Sequence, residues 1–219
     1  MLEAIIFDFD GLILDTESTE LQSWKELYES FGLQISMDNW IQMIGIPNGK
    51  VDRYQELENQ VGHKIDIDSL RNRRHKRNEE LNRLQEVRPG VLDLIREASA
   101  NNVKLSVASS ADHNWVDNHL SRLGIINYFT RIICSDDTQA HKPSPEPYLK
   151  ALEHLKVQSK NALAIEDSPN GIASAKSANL FCVAVPNQIT KNLDLSKADI
   201  RIDSLKDYSL DMIKELIEN

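Results

Sequence analysis

Five short apolar runs set the limits on how this chain can fold: Ala4 to Phe7, Val103 to Ala108, Arg131 to Cys134, Ala162 to Ile165 and Phe181 to Val185. Each is rich in β-branched or other apolar side chains and shows little polar alternation, which suits a strand buried on both faces. Between most of them lie amphipathic stretches of helical length, such as Gly90 to Ala100, Asn114 to Leu123, Pro145 to Leu155 and Pro169 to Ala178. Strand alternating with helix predicts an α/β fold built on a doubly wound, Rossmann-like parallel sheet.

One segment breaks the alternation. From residue 16 to residue 86 the chain shows helical periodicity and turn signals but no convincing strand, which predicts an all-helical domain inserted into an α/β core of residues 1–15 plus 87–219. Leu21, Trp24, Leu27, Tyr28 and Phe31 mark one helix; Trp40, Ile41 and Ile44 another; Val51, Tyr54, Leu57 and Val61 a third; Leu70, Leu81 and Leu84 a fourth. Ser36 and Asp68 are expected as N-caps, and Pro89-Gly90 marks the return to the sheet.

With 219 residues, 41% of them hydrophobic and 27% charged, the chain can bury a sizeable core. A net charge of -9 argues against a protein that coats nucleic acid or anionic lipid. No apolar stretch approaches the roughly 18 residues of a membrane span, and the N-terminus is strand-like, so a cytoplasmic protein is expected. Cys134 and Cys182 each adjoin an apolar run and read as small buried hydrophobes. A monomer is expected.

In a doubly wound sheet, ligands bind where the strands' carboxyl ends meet the following loops. Four such places are chemically loaded. After the first run comes Asp8-Phe9-Asp10-Gly11, where two carboxylates two residues apart share one side of extended chain. Their proximity lets one act as anion, nucleophile or metal ligand while the other holds a proton. Ser109-Ser110 follows the second run, and its hydroxyl and free N–H groups suit an anion. After the third run, Lys142 precedes Pro143 and can neutralise both the aspartates and a phosphate. After the fourth, Glu166-Asp167 supplies hard oxygen ligands for Mg²⁺, and Ser168-Pro169 starts a helix. Each has a plainer reading taken alone: a turn cap, an N-cap, a solvated lysine, a complement to a helix dipole. All four at one sheet edge point to chemistry. A carboxylate nucleophile, a second acid, a hydroxyl, a lysine and a metal-binding acid pair are the parts for phosphoryl transfer through an aspartyl-phosphate.

These motifs, in this order and spread over nearly the whole chain, resemble those of the haloacid dehalogenase-like hydrolases, in particular the branch of β-phosphoglucomutase and small sugar-phosphate phosphatases. The resemblance implies that Asp8 is the phosphorylated nucleophile and Asp10 the acid/base. It also implies that Mg²⁺ is held by the Asp8 carboxylate, the Asp10 backbone carbonyl and Asp167, with Glu166 in support, and that the helical insertion is a cap domain. The mutases of this branch carry a histidine five residues after the Asp of an Asp-Thr pair, whereas here Asp15-Thr16 leads to Glu20. They also place an arginine in a cap loop that here reads Gly45-Ile46-Pro47-Asn48-Gly49-Lys50. An Mg²⁺-dependent phosphatase acting on a small phosphorylated metabolite, such as a sugar phosphate, is therefore expected. The alternatives are a phosphomutase and a receiver-like phospho-acceptor domain.

Candidate substrate contacts are Ser109, Ser110, Lys142, Thr16, Lys50, Arg74, Lys76 and Arg77. The last three belong to a basic run that usually forms a solvated helix face. Helical spacing puts Arg74 and Arg77 on a stripe with Leu81 and Leu84. Trp24, Trp40 and Trp115 fall on apolar helical stripes and read as packing residues.

Overall fold

The structure is a computed structural model and describes residues 1–37, 40 and 52–218. Its contacts divide the chain into two compact units, Met1–Asp15 with Glu86–Asn219, and Thr16–Gln85. The expected loop Gly45 to Lys50, together with Ile41, Ile44 and Val51, lies outside the described residues.

In the first unit, six strands form one sheet: β1 (Ala4–Phe7), β2 (Lys104–Ala108), β3 (Arg131–Ile133), β4 (Ala162–Glu166), β5 (Phe181–Ala184) and β6 (Ile200–Arg201). Every pairing is parallel, and the order is β3-β2-β1-β4-β5-β6. The five apolar runs thus become the five longest strands. β6 was not expected, because it is two residues long and follows a polar stretch.

Strand periodicity sorts side chains onto two cores. Ile5, Phe7, Leu105, Val107, Leu163, Ile165 and Val183 share one core with Val91, Leu94, Ile95 and Ala98 of the helix Val91–Ala100, and with Val116 and Leu120 of the helix His113–Arg122. Ala4, Ile6, Ala164, Cys182 and Ala184 share the other with Tyr148, Ala151 and Leu152 of the helix Glu146–Leu155, and with Ile172 and Ala175 of the helix Pro169–Ser177. Cys134 and Cys182 are buried, free and in different cores, as small hydrophobes should be. No helix among the described residues is long and apolar enough to cross a membrane.

In the second unit, α1 (Thr16–Glu29) is followed by α2 (Arg53–Val61) and α3 (Ile67–Leu84). In chain order the helices of the first unit are then α4 (Val91–Ala100), α5 (His113–Arg122), α6 (Glu146–Leu155), α7 (Pro169–Ser177) and α8 (Leu210–Glu218). Asp52 caps α2 by accepting from Tyr54 N at 2.9 Å. For α3 the N-cap is Asp66, which accepts from Ser69 N, and not Asp68, which falls in the first turn. Either aspartate satisfies the sequence rule.

The buried face of α3 also differs from the expected stripe. Leu70, Arg74 and Asn82 are buried, at intervals of one and two turns, whereas Leu84 stands in solvent. Arg74 is consequently an interior residue. Its Nη1 donates to Glu20 Oε2 at 2.7 Å and to Ser23 Oγ at 3.2 Å, its Nε donates to Tyr54 OH at 2.9 Å, and its guanidinium lies over the Trp24 ring. Glu20 accepts further bonds from Trp24 Nε1 and Asn78 Nδ2. A polar network of this kind holds only when every member is satisfied, and here α1, α2 and α3 each supply members.

Candidate active site

The strand order reverses between β1 and β4, and at such a reversal the loops after the two strands diverge and leave a crevice. Asp8 follows β1 directly, with its N–H donating to Ile165 O of β4 at 2.9 Å, while Glu166 ends β4 and Asp167 follows it. The register therefore puts three acids at one edge. All three are buried, and a carboxylate oxygen from each lies within 4.8 Å of the others.

Lys142 enters this cluster from the loop after β3. Its Nζ donates to Asp8 Oδ1 at 2.5 Å and to Glu166 Oε1 at 2.6 Å, with its side chain nearly buried. The Lys142-Pro143 peptide is cis. Tyr148 of α6 donates its hydroxyl to the same Glu166 oxygen at 2.7 Å. Burial pushes the Asp8 carboxyl up to about 8, Glu166 adds to the rise, and Lys142 opposes it. Burial works against the charge on Lys142, but Asp8 and Glu166 beside it raise its pKa.

The donor set suits a divalent ion. Three buried carboxylates stand against one contacting ammonium, which leaves up to two negative charges to balance, and every donor is a hard oxygen. Supporting groups orient the acids. Asn187 Nδ2 donates to Asp167 Oδ2 at 2.7 Å and Thr190 Oγ1 donates to it at 3.3 Å. Arg88 donates to the carbonyls of Gly11, Val185 and Pro186, tying the loop after β1 to that after β5. Gly11 has φ +83°, and a Cβ there would collide with Asp167 Oδ2. Gly171, in the first turn of α7, carries no Cβ because the Glu166 carboxylate occupies that space.

The other expected residues fall as follows. Asp10 is half-buried and accepts from Trp115 Nε1 at 2.9 Å; its side chain is not one of the three clustered carboxylates. Ser109 is buried just past β2 at the same edge, and its Oγ accepts from Ala111 N at 3.0 Å, whereas Ser110 is exposed. Thr16 begins α1 and is buried. Arg77 binds Glu26 at 2.7 Å and also Glu80, and Lys76 is exposed. Lys50 lies outside the described residues. Trp24 and Trp40 are buried packing residues, but Trp115 also serves as a donor to an acid of the site.

Sequence reasoning missed Tyr148, Asn187, Thr190 and Arg88. Asn187 had a signal, since it lies three residues past β5 and the carboxyl-edge rule covers it. Tyr148 had none: in sequence it is one more apolar position of an amphipathic helix.

The family model described as haloacid dehalogenase-like hydrolase matches residues 5–185. Bacillus subtilis YhcW, which carries a provisional phosphatase name, is 37% identical over 213 residues, 97% of this chain and 96% of its own. The phosphorylated carbohydrates phosphatase of Thermotoga maritima is 31% identical over 82% of both chains. Among solved structures, CbbY from Rhodobacter sphaeroides, in complex with phosphate, superposes with a TM-score of 0.74 at 27% identity, covering 98% of this chain and 100% of that one.

Proposed function

The chain belongs to the haloacid dehalogenase-like hydrolases, and from that premise we propose that it is an Mg²⁺-dependent phosphatase that hydrolyses a small phosphomonoester, a sugar phosphate or a related metabolite, through an aspartyl-phosphate. One observation carries the proposal: Lys142 bridges Asp8 and Glu166 inside a buried three-carboxylate cluster. A nucleophilic carboxylate that must approach an anionic phosphoryl group needs such positive charge beside it. The named carbohydrate-phosphate activity of the Thermotoga relative supports the substrate class.

In the proposed reaction, Asp8 attacks phosphorus, forming an O–P bond as the ester O–P bond breaks. Asp10 gives its proton to the departing alkoxide. Asp10 then takes a proton from water as that water attacks phosphorus, the Asp8–P bond breaks and phosphate leaves. Lys142 neutralises charge on Asp8 and phosphate, and Ser109 holds a phosphoryl oxygen. Asp8, Asp167 and Glu166, with the Asp10 carbonyl, would hold Mg²⁺, which when bound lowers the repulsion between carboxylates and phosphate.

Hydrolysis is favoured over mutase chemistry because Glu20 occupies the position of the mutase histidine, and its carboxylate is engaged by Arg74, Trp24 and Asn78. Asp10 and Asp167 favour phosphate over a haloacid, which needs neither a proton donor there nor a metal. A panel of phosphorylated metabolites tests the reading, with β-glucose 1-phosphate assayed with and without a bisphosphate activator. Release of inorganic phosphate that EDTA stops, Mg²⁺ restores and Ca²⁺ inhibits is expected; bisphosphate-dependent isomerisation without phosphate release would refute it.

A further inference from the structure

Trp115 is the third residue of α5, and its position is fixed from three sides. Its backbone N–H donates to the N-cap Asp112 at 2.8 Å. One helical turn on, the buried His119 packs edge-to-face against it, with ring centroids 4.4 Å apart at 65°. His119 in turn lies 6.2 Å from the ring of Phe9, which is fully buried and adjoins Asp10 in the chain. The indole is therefore braced against the same loop whose acid it binds, and its Nε1 reaches Asp10 Oδ1 at 2.9 Å.

An indole N–H donates and has no lone pair to accept with. A carbonyl oxygen accepts better than the hydroxyl oxygen of a carboxyl group, so the indole bond to Oδ1 favours the form in which the proton exchanged with substrate rides on the other carboxylate oxygen. The bond also stops the carboxyl group from rotating about χ2, which is otherwise a soft torsion. We propose that Trp115 is the positioning residue of the acid/base Asp10: it fixes which carboxylate oxygen delivers the proton, and where. This inference rests on the phosphatase reading of the site.

A positioning role predicts dependence on the leaving group. Benzyl phosphate leaves as a basic alkoxide and needs Asp10's proton in the first step, whereas p-nitrophenolate is a weak base and leaves without one. Two variants remove the donor: Trp115→Phe, and site-specific replacement of Trp115 by benzothienylalanine, which keeps the ring and its packing but lacks the N–H. Both should lose roughly 10- to 100-fold in kcat/KM on benzyl phosphate, the order that misplacing a reacting group costs. On p-nitrophenyl phosphate kcat/KM should stay within about twofold of wild type, because that constant reports steps only through phosphoryl transfer to Asp8. A structural role would lower both alike. If the benzothienyl enzyme loses equally on the two esters, or loses nothing on benzyl phosphate, the inference is overturned while the phosphatase reading stands. Undiminished turnover by Asp8→Asn would overturn that reading instead.

Discussion

Gly171→Ala opposes a known local gain to a loss specific to the site. Ala is the better helix former by about 1 kcal/mol, and Gly171 does not have a positive φ, so on helix grounds alone the change should stabilise α7. A Cβ at this position, however, would overlap all three atoms of the Glu166 carboxyl group, which would have to move by at least about 1 Å. That carboxylate accepts from Lys142 at 2.6 Å and from Tyr148 at 2.7 Å and is fully buried. Each hydrogen bond to a charged group contributes about 1.5–3 kcal/mol, so losing both costs about 3–6 kcal/mol and the net is about 2–5 kcal/mol of destabilisation. With an unfolding entropy near 2.1 cal/mol/K per residue over 219 residues, Tm should fall by about 4–11 °C. Differential scanning calorimetry measures this, and a parallel Mg²⁺ titration of phosphatase activity should show that more Mg²⁺ is needed for half-maximal activity. A variant that melts at or above wild type, with unchanged activity, would refute the reasoning.

Three further outcomes are expected. Asn187→Leu removes the donor to Asp167 without adding bulk, and should weaken Mg²⁺ affinity 10- to 100-fold by isothermal titration; an unchanged affinity would contradict the orienting role. Arg74→Met leaves Glu20 without its buried partner and should cost about 3 kcal/mol in urea unfolding, part of which the added Glu20→Gln change should recover; additive losses would show that the pair is not coupled. His113 bonds Asp137 and Asp117; burial works against its charge, but the two bonds raise its pKa. Its stabilisation is thus complete below about pH 6.5 and fades as pH rises through the elevated value. The Tm gap between wild type and His113→Gln should be widest near pH 6 and shrink towards pH 9, and a pH-independent gap would contradict this.

The sheet was legible because a parallel strand covered on both faces must be apolar almost throughout, and Ala4–Phe7 and Ala162–Glu166 have few other ways to be buried. The site's acids were legible because polar residues directly after such strands converge at one edge, and Lys142 because the loop after β3 opens at that same edge. What escaped was set by tertiary packing. Tyr148 and Trp115 show only apolar helical periodicity in sequence, and their hydroxyl and N–H become meaningful once α6 and α5 dock. The sequence marks Arg74 as a candidate substrate contact, but the pairing of α3 with α1 turns it inwards onto Glu20.

Reduction with borohydride under turnover addresses the nucleophile directly, since an acyl phosphate is reduced to the alcohol where a free carboxylate is not. After quenching a reaction with p-nitrophenyl phosphate and Mg²⁺, mass mapping of the N-terminal peptide should find homoserine at position 8 and unmodified Asp10. An unaltered Asp8 under these conditions, or the alcohol at any other acid, would contradict the account.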